Sequence, residues 1–357
     1  MAPQADSSED KNIPKNIILF IGDGIGVGHI SAAKIMKGTL NIEQCKTVGL
    51  LTTRPIEGFL ATSESSTTPL ATGVNSKLWY ISISPSKEPL KTVLEYAEEK
   101  GKSTGIVVTS SVVDATPACF VAHTDSRKKT GVIAESTVNS GVDVLFGGGL
   151  KYFLPSQTAD SAGEDNKNLI AQLEKRYPVV TTTEGFRKLG TPKGAYGFLA
   201  VDNLPGSNER EISLAEMTRK AIEILSTNEN GFFLMVESSQ IDWGSHRGDS
   251  DGIIRETIDL DHAVGAGLEF AKRDGNTLVV VTSDHETGGY CFTDGSTEKH
   301  SIRIAICATS GHTGTMVPLF AYGPGSEVLG GIGDHAFVGK IIIGYVKEGG
   351  AQDGRSK

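Results

Sequence analysis

Residues 277–289 read TLVVVTSDHETGG, a run of aliphatic and β-branched residues that ends on an acid, a histidine and a second acid. A short apolar run bounded by polar residues is a strand buried on both faces, as in a parallel sheet covered by helices. Five more runs share this character: NIILFIG (16–22), TGIVVTS (104–110), VDVLFGGG (142–149), FFLMVESS (232–239) and PLFAYGPG (318–325). Helical patterns lie between them, at 89–100, 214–226 and 251–272. The second of these opens with Ser213 and Glu216 at capping-box spacing. Strands alternating with helices predict an α/β fold: a three-layer sandwich whose mostly parallel central sheet is covered by helices on both faces.

Alone, an Asp-His pair after a strand is most often a polar turn. In such sheets, however, functional groups gather at the carboxyl ends of the strands. Asp23 ends the first strand, Glu237 the fourth, and Asp284 with His285 the fifth. In ESSQIDWGSH (237–246), Asp242 and His246 are four residues apart, so one helical turn puts them on one face. His312 lies in SGHTG, just before the last strand. Carboxylates mixed with imidazoles suit zinc, and an all-oxygen subsite suits magnesium. This convergence reads as a metal site rather than a set of turns.

The chain has 357 residues, enough for a substantial core, and is 38% hydrophobic and 22% charged, the balance of a globular protein. Its formal charge of −9 argues against nucleic acid or an anionic membrane as partner. No apolar run approaches the roughly 20 residues of a membrane helix. Cys45, Cys119, Cys291 and Cys307 lack CxxC spacing; pairing of Cys291 with Cys307 stays open. The organisation expected is a disordered leader over 1–15, one domain over 16–348 and a flexible tail over 349–357. Residues 151–212, rich in Gly, Pro and polar side chains, read as an irregular insertion, and 291–311 as a short lid. The leader lacks a signal peptide's apolar core and reads as the end of a mature form.

The segments FIGDG (20–24), DATPACFVAHTDSR (114–127), VESSQIDWGSH (236–246), TSDHETGG (282–289) and GHTG (311–314) occur in one order. In that set and order, from about Asn16 to Gly325, the sequence resembles the alkaline phosphatases. The resemblance implies an alkaline-phosphatase-like sandwich and a phosphomonoesterase with two zinc ions and one magnesium ion. Asp242, His246 and His312 would hold the first zinc, and Asp23, Asp284 and His285 the second. Thr116 and Glu237 would complete a magnesium site with Asp23. Arg127 would clamp two phosphate oxygens, a task its planar fork fits. Asp114 and Trp243 match positions that tune the third metal site. The resemblance also implies small phosphate monoesters and inorganic phosphate as ligands, a homodimer, and a periplasmic or secreted location.

Counted back without gaps from LATGV, the resemblance puts the family's attacking serine at Ser63, in LATSESSTTPLATGV (60–74). Here the pattern is broken: Thr62 stands where Asp is usual, and Glu64 where a small residue is usual. Glu64 is expected to repel a phosphate dianion unless it turns away or binds a cation. Pro69 costs about 3 kcal/mol inside a helix, so the helix is expected to begin at Pro69 with Thr68 as its cap. The unusual stretch runs from Thr62 to Ile83. Two other readings follow: a phosphodiesterase or sulfatase-like hydrolase, and a non-catalytic metal-stabilised phosphate-binding protein.

Overall fold

The computed structural model describes residues 12–163 and 166–349; most of the expected leader and tail lies outside the described residues. The chain contributes β1 (Asn16–Gly22), β2 (Thr47–Thr52), β3 (Ser103–Ser111), β4 (Val144–Gly148), β5 (Val179–Val180), β6 (Ala195–Phe198) and β7 (Phe232–Ser238). It continues with β8 (Thr277–Thr282), β9 (Glu286–Thr287), β10 (Tyr290–Ser296), β11 (Ser301–Cys307), β12 (His312–Thr313), β13 (Val317–Tyr322) and β14 (Gly331–Asp334). Ten of these form one sheet, ordered β14-β2-β13-β8-β1-β7-β3-β4-β6-β5. Its pairings are parallel except the two made by β13, which runs against β2 and β8.

Because side chains alternate along a strand, β1 feeds two cores. Ile17, Leu19 and Ile21 enter one, while Ile18 and Phe20 enter the other. Helices Ser63–Thr72, Val93–Glu99, Ala115–Val121 and His335–Glu348 cover the first face. Helices Val27–Lys37, Leu214–Leu225 and Ser250–Asp274 cover the second. The sandwich anticipated from the apolar runs is therefore the one observed.

Local chemistry sets the helix ends. Ser213 Oγ accepts from Glu216 N at 3.1 Å, as the capping-box spacing predicts. The helix expected from residue 89 starts at Val93, because Thr92 and Glu95 exchange hydrogen bonds of 2.7 and 3.2 Å. The stretch 151–212 is not wholly irregular: β5 and β6 lie within it and extend the sheet at one edge. Between 291 and 311 the chain forms the β10–β11 hairpin. Tyr290 pairs with Cys307 and Cys291 with Ile306, so the two cysteines face opposite sides of the hairpin and are free.

Candidate active site

The parallel strands deliver Asp23, Glu237, Asp284 and His285 to one edge of the sheet, and helix Gln240–Arg247 adds Asp242 and His246. Gly24 follows Asp23 at φ 77°, and a Cβ there would lie 2.8 Å from Thr287 Oγ1 and 3.0 Å from Asp242 Cα. Only glycine lets the turn come this close to the site. Its N–H donates to Asp284 Oδ1 at 3.2 Å.

Three histidines are aimed from behind. His312 Nδ1 donates to Ala61 O (2.7 Å) and His246 Nδ1 to Ser310 O (2.6 Å). The Thr287 hydroxyl gives its proton to Asp242 Oδ1 at 2.6 Å, so its oxygen accepts from His285 Nδ1 at 3.1 Å. Each Nε2 is thereby turned toward acids, the arrangement that orients metal-bound imidazoles. His246 Nε2 lies 3.2 Å from Asp242 Oδ2, and His312 Nε2 lies 3.7 Å from Asp242 Oδ1. His285 Nε2 lies 3.1 Å from Asp284 Oδ2 and 3.5 Å from Asp23 Oδ1. The second expected set, Asp23, Asp284 and His285, comes together, whereas around the first the compact group is Asp242 and His312 with His285 in place of the more exposed His246; the rings of His285 and His312 stack at 3.6 Å. Ligand atoms of Asp242, His285 and His312, and of Asp23, Asp284 and His285, fall within 4.8 Å of one another in each set.

Three of the acids each keep one oxygen without a donor. Asp23 Oδ1, Asp284 Oδ2 and Glu237 Oε2 are buried without a hydrogen-bond partner. Burial, then Asp284, Asp242 and Glu237, push the Asp23 carboxyl well above its usual range. Burial, then Asp114 and Asp284, raise Glu237 to about 8, with Thr116 beside it. Asp242 behaves differently: burial raises it, but the hydrogen bond to His246 and the charge of His285 prevail and lower it. That same bond lifts His246 to about 9. Buried carboxylates cost several kcal/mol each unless paired or bound to metal. The donor set therefore fits cations: oxygen and imidazole ligands converging where carboxylates lack partners.

Ser63 opens the helix Ser63–Thr72 and points its Oγ at His285 Nε2, 3.3 Å away. This corrects the expected start at Pro69. Thr62, not Thr68, is the cap, and its N–H donates to Ser65 Oγ at 2.9 Å. Thr68 instead binds the 80–82 loop, accepting from Ser82 N at 3.0 Å and donating to Tyr80 O at 3.1 Å. Pro69 is tolerated because the helix is buried along its whole length. It also packs hard against the last helix, where a Cβ on Gly339 would sit 2.1 Å from Pro69 O. Tertiary packing overrides the local penalty.

Glu64 does not face the site as a bare charge. Its side chain is fully buried; Oε1 accepts from Thr62 Oγ1 (2.6 Å) and Trp79 N (3.0 Å), and Oε2 from Arg127 Nη1 (3.1 Å). Arg127 Nη2 donates to Asp114 Oδ1 at 2.5 Å. Burial works to lower the pKa of Arg127, but Asp114 and Glu64 outweigh it and hold the guanidinium above its ordinary value. Trp243 is half-buried on the turn between Asp242 and His246. Thr287 and Trp79 are contributors that spacing did not single out; Thr287 stands two residues past His285 and meets its Nδ1.

Residues 14–306 match the alkaline phosphatase family. The chain belongs to that family. It is 36% identical over 302 residues to alkaline phosphatase 4 of Bacillus subtilis, covering 79% of this chain but only 63% of that relative. To alkaline phosphatase 3 of the same organism it is 31% identical, covering 96% of this chain and 92% of the relative. Among alkaline phosphatases of known structure, that of the Antarctic bacterium TAB5 is 36% identical, with a TM-score of 0.86 over 94% of this chain and 98% of that one. A histidine-to-aspartate variant of the TAB5 enzyme has Mg bound in its M3 site.

Proposed function

We propose that the chain hydrolyses phosphate monoesters to an alcohol and inorganic phosphate, through a phosphoserine on Ser63. The observation that carries this reading is the 3.3 Å approach of Ser63 Oγ to His285 Nε2, at the positive end of a helix and beside unpartnered buried carboxylates.

Asp242, His246 and His312 would hold one zinc, Asp23, Asp284 and His285 a second, and Asp23, Thr116 and Glu237 a magnesium ion. Magnesium in the TAB5 variant supports the third assignment. When bound, these cations supply positive charge that favours the serine alkoxide and offsets charge on the entering and leaving oxygens.

The chain's own groups then act in order. Ser63 Oγ attacks phosphorus in line with the leaving group; its O–P bond forms as the ester P–O bond breaks, and the alcohol departs with a proton. Water next attacks the phosphoserine, the bond to Ser63 breaks, and the hydroxyl and inorganic phosphate are released. Arg127, oriented by Asp114, donates to two phosphoryl oxygens throughout. Trp243 would shape the magnesium side. A homodimer and export to the periplasm or medium belong to the same proposal. Among the described residues, no helix is long and apolar enough to cross a membrane.

Hydrolysis of an aryl phosphate, an aryl phosphodiester and an aryl sulfate with zinc and magnesium present tests the reading. The monoester is expected to be turned over fastest. Preference for diester or sulfate would favour a different hydrolase of the superfamily, and phosphate binding without turnover would favour a binding protein.

A further inference from the structure

Arg127 is not held only by Asp114. Its other terminal nitrogen, Nη1, donates to Glu64 Oε2 at 3.1 Å, and Glu64 is itself locked by Thr62 Oγ1 at 2.6 Å and by the Trp79 N–H at 3.0 Å. A guanidinium has two N–H groups on each terminal nitrogen. One on each is taken by a carboxylate, which leaves one on each to form a fork, with both outer ends fixed. The Trp79 N–H reaches Glu64 from a backbone at φ 71°, a left-handed conformation rare for a side chain of this size. Strain of this kind persists where surrounding contacts over-determine it, and is often found at functional sites.

We infer that Glu64 is a positioning residue for Arg127, and that Thr62, Glu64 and Trp79 form one module that pre-sets the phosphate fork. The unusual segment after residue 62 is then a working alternative rather than a damaged site. The carboxylate next to the nucleophile is neutralised by the very arginine that binds substrate, so it does not oppose the incoming dianion. This inference rests on the reading of Arg127 as the phosphate clamp.

Glu64→Gln separates anchoring from folding. The amide oxygen can still accept from Thr62 and Trp79, whereas its NH2 group meets another donor at Arg127. In the metal-loaded enzyme, melting temperature is expected to fall because two donors then face each other in a buried site, while zinc content stays constant and phosphate binding is read well below the transition. Inorganic phosphate, titrated by calorimetry and as a competitive inhibitor, is expected to bind about three- to thirtyfold more weakly, with kcat/KM falling in parallel. In an Arg127→Ala background the same change should produce no further weakening. Unchanged or tighter phosphate binding in Glu64→Gln would overturn the inference, the tighter result showing that Glu64 simply repels phosphate. Equal weakening with and without Arg127 would overturn it as well. Should Arg127→Ala alone leave phosphate binding intact, the clamp reading itself falls, and the inference with it.

Discussion

Arg127 donates to Asp114 across 2.5 Å, an ion pair that joins the loop after the helix Ala115–Val121 to that helix's own cap. Asp114 also bears on the acid cluster, where its charge adds to burial in raising Glu237. Charge-assisted hydrogen bonds of this class contribute about 1.5–3 kcal/mol. Arg127→Ala should therefore weaken phosphate inhibition and lower kcat/KM for monoesters roughly 10- to 150-fold, with zinc content unchanged. Steady-state kinetics with inorganic phosphate as inhibitor checks this; an unaltered inhibition constant contradicts it.

Removing metal should act on stability as well as activity. Asp23 Oδ1, Asp284 Oδ2 and Glu237 Oε2 are buried without a hydrogen-bond partner, so removing a cation leaves their burial uncompensated. A ligand that binds only the folded state at a thousandfold over its Kd stabilises it by about 4 kcal/mol. Chelation should abolish turnover and lower Tm together, and zinc with magnesium should restore both. Scanning calorimetry beside metal analysis reads the effect; full activity below one zinc per chain would contradict it.

Much of this arrangement could be read from the sequence, and the parts that could not share a cause. NIILFIG coincides with β1 because a strand buried on both faces leaves a continuous apolar run. TVGLLT, residues 47–52, does not form a continuous apolar run because β2 is buried only at alternate positions, and Gly49 and the two threonines break its apolar character. Of the proposed ligands, Asp23, Glu237, Asp284 and His285 are legible because they sit at strand exits, and Asp242 and His246 by their four-residue spacing on a helix. The start of the helix at Ser63 was hidden, because the rule against Pro69 is local while the burial that offsets it comes from the distant residues around Gly339. Glu64 looked repulsive for the same reason: its partners Trp79 and Arg127 lie far along the chain.

The backbone at Trp79 offers a stability test. A left-handed conformation costs a residue with a side chain about 1–2 kcal/mol relative to glycine, but the indole is 51% exposed, so its removal forfeits the buried half, about 2–3 kcal/mol. Trp79→Gly should therefore lower stability by about 1 kcal/mol while its N–H keeps holding Glu64. Denaturant titration measures this, and a higher midpoint would show that backbone strain outweighs the packing of the indole.

His29 predicts a pH dependence. It is buried, accepts from Gly26 N at Nδ1 (3.0 Å) and meets Ser245 Oγ at Nε2 (3.0 Å), so a second ring proton would face the Gly26 N–H. Burial lowers its pKa from 6.5 to about 4, against a smaller upward pull from Asp242. As pH falls through 6.5 the unfolded chain takes up the proton and the folded chain does not, so stability is lost across the window from 6.5 to 4. The limiting loss is about 3 kcal/mol. His29→Gln should flatten that part of the Tm–pH curve relative to the parent; parallel curves would contradict the assignment.

The nucleophile is tested most directly by trapping. Ser63 Oγ alone among its neighbouring hydroxyls approaches His285, at 3.3 Å, while Ser65 and Ser66 both donate to Thr62 O, at 3.0 and 2.9 Å. Ser63→Ala should keep metal and phosphate binding yet lose about a hundredfold or more in turnover. The decisive measurement is to quench the reaction with labelled monoester at acidic pH and map the phosphorylated peptide. The label is expected on Ser63; label on Thr62, Ser65 or Ser66, or turnover with no labelled serine at all, would contradict the account.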